Sequence, residues 1–155
     1  MEITFQKELN RAHVFRIRRQ DGSETWQRHT DFFVLHDLLH YVVEKNLRYK
    51  EAFYGLVEQG KNIEDFDNLS REASRSLPWE SIVTEHLVNL FASELTSEQP
   101  WQDFLDQVET VCRQAGLEVP QIADSQLRAI REQFKGLHQQ WQSLKDSERL
   151  TLHWP

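Results

Sequence analysis

The spacing of the apolar residues changes near residue 30, and this change limits the fold class more than any other feature of the chain. Before it, apolar and polar side chains alternate, as in residues 15–18 (FRIR), and such alternation is typical of half-buried strands. Residues 20–23 carry an Asp-Gly turn signal, and a returning arm begins at Thr25. The pattern predicts three short antiparallel strands in the first thirty residues.

From Asp31 onward the apolar residues recur every three or four positions, which indicates helices. The first helix is predicted over 31–46, with Thr30 or Asp31 as its cap, and it should be largely buried because it has almost no polar face. Further helices are predicted over 49–59, 70–76, 79–95, 100–115 and 123–144.

The C-terminal tail returns to strand-like alternation, with Leu150, Leu152 and Trp154 at every second position. It is therefore a candidate fourth strand. We predict a mainly α (α+β) fold, a bundle of five to six helices. Its small antiparallel sheet would come from the N-terminal hairpin, with the tail as the candidate addition.

Length and composition exclude several classes of protein. The 155 residues suit one domain over 1–155. No apolar run approaches the roughly 20 residues that span a bilayer, and the N-terminus has no apolar signal segment, so we expect no membrane partner and no signal peptide. The single cysteine, Cys112, fits a reducing cytoplasm. A formal net charge of −7 disfavours phosphate backbones, so no nucleic acid partner is expected.

One group of polar residues lies inside the first predicted helix, where His36, Asp37, His40 and Glu44 fall within nine positions. His36, His40 and Glu44 are spaced by four and share one stripe of the helix, with Asp37 beside it. The surrounding sequence is apolar, and buried polar groups without partners are costly. These side chains therefore require partners: one another, other side chains, water or a metal ion.

A divalent metal ion is the first interpretation of this group. Two His at i and i+4 can direct both imidazoles to one ion, as in the HExxH helix of metalloproteases, where Asp37 would take the place of the catalytic Glu. A carboxylate would complete the site, and His86 is a further candidate. Such a donor set suits Zn²⁺, or Fe²⁺ or Mn²⁺ if coordination positions stay open to a small substrate. The predicted ligands are His36, His40, Glu44 and Glu58, and the predicted catalytic residue is Asp37.

The second interpretation is a structural polar network in a non-enzymatic interaction or assembly protein. The last predicted helix carries apolar residues at alternating steps of three and four, from Leu127 to Leu144, which is a coiled-coil-like pattern. This seam could form a homodimer or pack inside its own bundle. The sequence leaves open which interpretation holds, and with it whether the protein is an enzyme. It contains no nucleophile elbow, P-loop or dinucleotide fingerprint.

The same residues carry two resemblances. Residues 36–44 and 53–60 resemble the HDLxHYxVE…GLxxxG core of a family of uncharacterised bacterial proteins, over about residues 30–66. A looser similarity is to the ubiquinone-biosynthesis accessory family, helical proteins with a His-Asp-x-x-His motif followed by a Glu on the next helix. His36, Asp37 and His40 match that motif, whereas Glu44 stands where that family has Gly. The second similarity implies metal or polar-site chemistry at the matching residues.

Overall fold

The computed structural model describes residues 1–67, 70, 73, 76–95, 97 and 100–155. Four strands form one antiparallel sheet in the order β3-β2-β1-β4. The C-terminal tail pairs with β1, with Leu152 opposite Ile3 and Leu150 opposite Phe5, so the candidate fourth strand is confirmed. The strands are β1 (Glu2–Gln6), β2 (His13–Arg18), β3 (Glu24–His29) and β4 (Arg149–His153).

Five α-helices and one 3₁₀ turn occupy most of the described chain between β3 and β4, which confirms the mixed α+β class. The predicted short helix over 70–76 lies largely outside the described residues. Among the described helices, none combines the length and the apolar content that a membrane crossing requires. The helices are α1 (Asp31–Leu47), α2 (Phe53–Glu58), α3 (Trp79–Glu94), α4 (Phe104–Ala115) and α5 (Asp124–Ser143), and the 3₁₀ turn is Ile63–Phe66.

Two helices begin later than predicted, and in both cases a carboxylate of α3 holds the segment before the helix. α2 begins at Phe53 instead of 49, because Glu80 accepts the backbone N–H groups of Lys50 and Glu51 at 2.7 and 2.6 Å. α4 begins at Phe104 instead of 100, and Glu94 accepts the N–H of Trp101 at 2.9 Å. Long-range hydrogen bonds of this kind leave no trace in local periodicity.

Helix α1 lies at the centre of the molecule, in contact with α2, α3, α5, β2 and β3. Every residue over 37–44 is buried, which confirms the predicted burial for the centre of this helix, whereas residues 31–33 at its start are exposed. The inner face of the sheet supplies Ile3, Phe5, Phe15 and Ile17, all fully buried, to the same core. The polar residues of α1 are therefore held by packing on several sides.

The seam of α5 packs inside the chain, where Leu127, Ile130, Phe134 and Trp141 are all at most 7% exposed. The helix contacts α1 over this face. A homodimer stays a prediction, but these side chains are already buried in the core of the chain itself.

Candidate metal centre

Three side chains from two helices meet beside the centre of α1. The four-residue spacing in α1 stacks His36 and His40, with ring centroids 4.7 Å apart. Helix α3 packs on α1 and places Glu85 beside both imidazole rings. Its two carboxylate oxygens lie 3.2 Å from Nε2 of His40 and 3.7 Å from Nε2 of His36.

The donor atoms of His36, His40 and Glu85 lie within 4.8 Å of one another, close enough to hold a metal ion after small shifts of the side chains. The side chains are 23%, 4% and 52% exposed, so the cluster is enclosed at His40 and open to solvent at Glu85. Two imidazoles and one carboxylate fill only part of the coordination shell of a divalent ion, so positions for water or a ligand would remain.

Glu44, predicted as a ligand, lies behind His40 and is completely buried. One of its oxygens accepts from Nδ1 of His40 at 3.0 Å, and the other accepts the backbone N–H of Tyr54 at 2.9 Å. Both oxygens of Glu44 are therefore already hydrogen-bonded, and neither of them bonds to the side chain of Glu85. In metal sites a carboxylate often accepts a hydrogen bond from the second nitrogen of a metal-binding His, which orients the ring and fixes its tautomer.

The charges of the cluster are strongly coupled. Burial disfavours the charged form of His40, but its hydrogen bonds to Glu44 and Glu85 outweigh burial and raise the pKa to about 10. Burial also works against the charged form of Glu85, yet the hydrogen bond and charge of His40 hold the pKa of this carboxyl below its usual value. Burial and the charge of His40 lower the pKa of His36. Burial raises the pKa of Glu44 despite its bond to His40.

Asp37, the predicted catalytic residue, faces β3 and pairs with His29. Its carboxylate accepts from Nδ1 of His29 at 2.7 Å, and Nε2 of the same ring donates to Oε1 of Gln27 at 2.9 Å. The amide of Gln27 in turn donates to Asp67. The resulting chain of hydrogen bonds connects α1, β3 and the end of the 3₁₀ turn, on a wall of the cavity that the cluster also faces.

Two other sequence candidates lie outside the cluster. Glu58 is the exposed last residue of α2. His86 is half-buried and follows Glu85 on α3; its charge helps to lower the pKa of Glu85, but it is not among the clustered donors. The structure therefore brings together His36 and His40 of the predicted ligands, with Glu85 as their carboxylate.

Sequence reasoning missed Glu85 and His29, although each left a weak signal. Glu85 follows buried Thr84 and precedes buried Val88 by three positions, so it borders the stripe of α3 that faces the core. His29 follows buried Thr25 by four positions in a strand, and side chains two and four apart share a face. Neither pattern identifies the titratable hydrogen-bond partners of Glu85 and His29, because those residues lie on α1.

The cluster opens into a cavity of about 470 Å³, a size typical of small-molecule sites. Most of its lining residues belong to three groups, and Arg28 and Ile63 complete it. The clustered donors and the hydrogen-bonded chain from Asp37 to Asp67 form its polar walls. Its aromatic side chains are Phe33, Phe53 and Phe66.

No protein-family model, curated protein or solved structure gives a significant match to the chain.

Proposed function

We propose that the chain binds one divalent metal ion through His36, His40 and Glu85 and presents it to a small molecule in the adjoining cavity. The observation that carries this proposal is the convergence of the three donor atoms within 4.8 Å, on two packed helices. Ligands on helices are held more accurately than ligands on loops, because their backbone positions are set by the core.

The surroundings of His40 are compatible with a metal site. Glu44 holds Nδ1 of His40 and leaves Nε2 directed at Glu85, where a metal ion would lie. Glu44 is itself fixed by the backbone of Tyr54. A cation placed between His40 and Glu85 would take the place of the proton that they now share, and metal binding generally competes with protons for such ligands.

The donor set favours Zn²⁺, with Fe²⁺ and Mn²⁺ as the competing ions. An ion with open positions beside a cavity can polarise a bound oxygen or lower the pKa of a bound water. Asp37 and His29 line the same cavity and can orient a ligand there, and the carboxylate of Asp37 can accept a proton. The resemblance of His36, Asp37 and His40 to the His-Asp-x-x-His motif of the ubiquinone-biosynthesis accessory family implies metal or polar-site chemistry at these residues.

The test is the metal content of purified, untagged protein after incubation with excess Zn²⁺ and gel filtration, measured by mass spectrometry of the elements. We expect close to one equivalent in the unmodified chain. His40→Ala and Glu85→Gln should each lose most of it, with the fold checked by circular dichroism. The matched controls are Glu58→Gln and His86→Ala, which remove the two candidates outside the cluster and should keep the metal.

Metal retained in full by both His40→Ala and Glu85→Gln would overturn the assignment. Absence of any stoichiometric ion from the unmodified chain would instead favour a structural network around Glu44. Most of the α5 seam is buried in the core of the chain, and Leu137 and Leu144 are its partly exposed residues that the assembly alternative could use. No specific contact in the described part of the chain favours that alternative.

A further inference from the structure

The aromatic side chains of the cavity lie directly against its polar groups. The ring of Phe53 is 5.8 Å from His40 and 5.0 Å from Phe66. On another part of the wall, the ring of Phe33 lies 5.7 Å from His29. The side chain of Phe33 is 52% exposed, so one face of its ring is accessible from the cavity. A flat apolar body in the cavity would cover these faces.

The charged side chains of the cavity limit what such a body can carry. Three carboxylates line it, from Asp37, Asp67 and Glu85, against one guanidinium from Arg28. Glu85 would be neutralised by a bound cation, whereas Asp37 is held by His29. With a divalent ion bound, its charge and that of Arg28 would offset the three carboxylates, so a dianionic group such as a phosphate monoester would add negative charge that nothing else on the wall is left to offset.

We propose that the ligand of this site is a flat aromatic molecule with a neutral or singly charged oxygen donor for the metal. The inference rests on the proposed metal site and adds the chemical class of its ligand. The ring packs against Phe33, Phe53 and Phe66, and the oxygen donor takes an open coordination position beside His40. The cavity volume of about 470 Å³ accommodates a single ring with its substituents.

The experiment uses the full chain loaded with Co²⁺, whose visible absorption changes when a ligand enters its coordination shell. Benzohydroxamic acid and acetohydroxamic acid carry the same oxygen donors on a phenyl ring and on a methyl group. We expect the phenyl compound to bind at least about tenfold more tightly, equivalent to about 1.4 kcal/mol. Phenyl phosphate should bind more weakly than benzohydroxamic acid.

Two neighbouring phenylalanines provide a matched pair of variants. Phe33 lines the cavity and Phe32 does not, although both are more than half exposed at the start of α1. Phe33→Ala should reduce the preference for the phenyl compound to about threefold or less, and Phe32→Ala should leave it unchanged. Phe53→Leu, which keeps apolar volume but removes the ring beside His40, should also reduce it.

The possible outcomes separate this inference from the metal assignment. Co²⁺ that binds at His40 and Glu85 but shows no preference for the phenyl compound overturns the ligand class and leaves the metal site intact. Equal losses in Phe32→Ala and Phe33→Ala also overturn it, because the effect would not come from the cavity wall. Failure of Co²⁺ to bind, with the fold intact, overturns both proposals.

Discussion

Variants at Glu44 should affect the stability of the fold and the affinity for a metal to different extents. Its two oxygens accept from His40 and from the backbone of Tyr54, and none of its surface is exposed. Replacement by Gln keeps the shape. The amide oxygen can accept the N–H of Tyr54, and the amide NH₂ can donate to Nδ1 of His40, which then carries its proton on Nε2 and donates to Glu85.

This rearrangement leaves every group paired but changes the atom that faces the metal. We expect Glu44→Gln to lower the free energy of unfolding of the metal-free protein by only about 1–2 kcal/mol, the loss of charge assistance. Glu44→Leu leaves His40 and the N–H of Tyr54 without acceptors and should cost about 3–5 kcal/mol. In Glu44→Gln the protonated Nε2 cannot coordinate, so the affinity for Zn²⁺ should fall about 10- to 100-fold.

Urea unfolding followed by circular dichroism measures the first quantity, and competition with a chelating indicator measures the second. Glu58→Gln makes the same chemical change at an exposed site and should alter stability by less than about 0.5 kcal/mol. The reasoning is refuted if Glu44→Gln keeps the full affinity for Zn²⁺, or if it is as unstable as Glu44→Leu.

The remaining predictions concern packing and reactivity. Gly55→Ala should destabilise the fold by about 3 kcal/mol or more in thermal melts, because the added Cβ would overlap backbone atoms of the loop before α2. Gly136→Ala places its Cβ where no neighbouring atom lies within 4 Å, and it should stabilise α5 by about 0.5–1 kcal/mol. Glu94→Ala should cost about 2–3 kcal/mol in urea unfolding, since it removes the only carboxylate paired with the mostly buried Arg131 among the described residues and leaves it one 3.3 Å bond to the carbonyl of Trp101; a change under about 0.5 kcal/mol would contradict this. Cys112 should react slowly with an aromatic disulfide reagent in the native protein and rapidly in urea, because burial raises the pKa of its thiol.

Local periodicity in the sequence is sufficient for most of the secondary structure. Alternation at Phe15 and Ile17 predicts β2, and the return of alternation at Leu150 and Leu152 predicts β4. Both patterns work because side chains on a strand point alternately to the core and to solvent. The predicted starts of α2 and α4 are wrong, because both helices begin later in the chain. The hydrogen bonds that hold the preceding segments come from α3, which is not adjacent in the local pattern.

In the candidate site, too, some features follow from local spacing and others depend on tertiary packing. The sequence alone determines that His36, His40 and Glu44 share one face of a helix, because their spacing is close to the helical repeat. Only the tertiary structure decides that Glu44 stands behind His40, that Asp37 turns to His29, and that the open carboxylate belongs to Glu85. Spacing determines direction within one helix, but a site between helices depends on how their faces pack, and that packing is a property of the whole core.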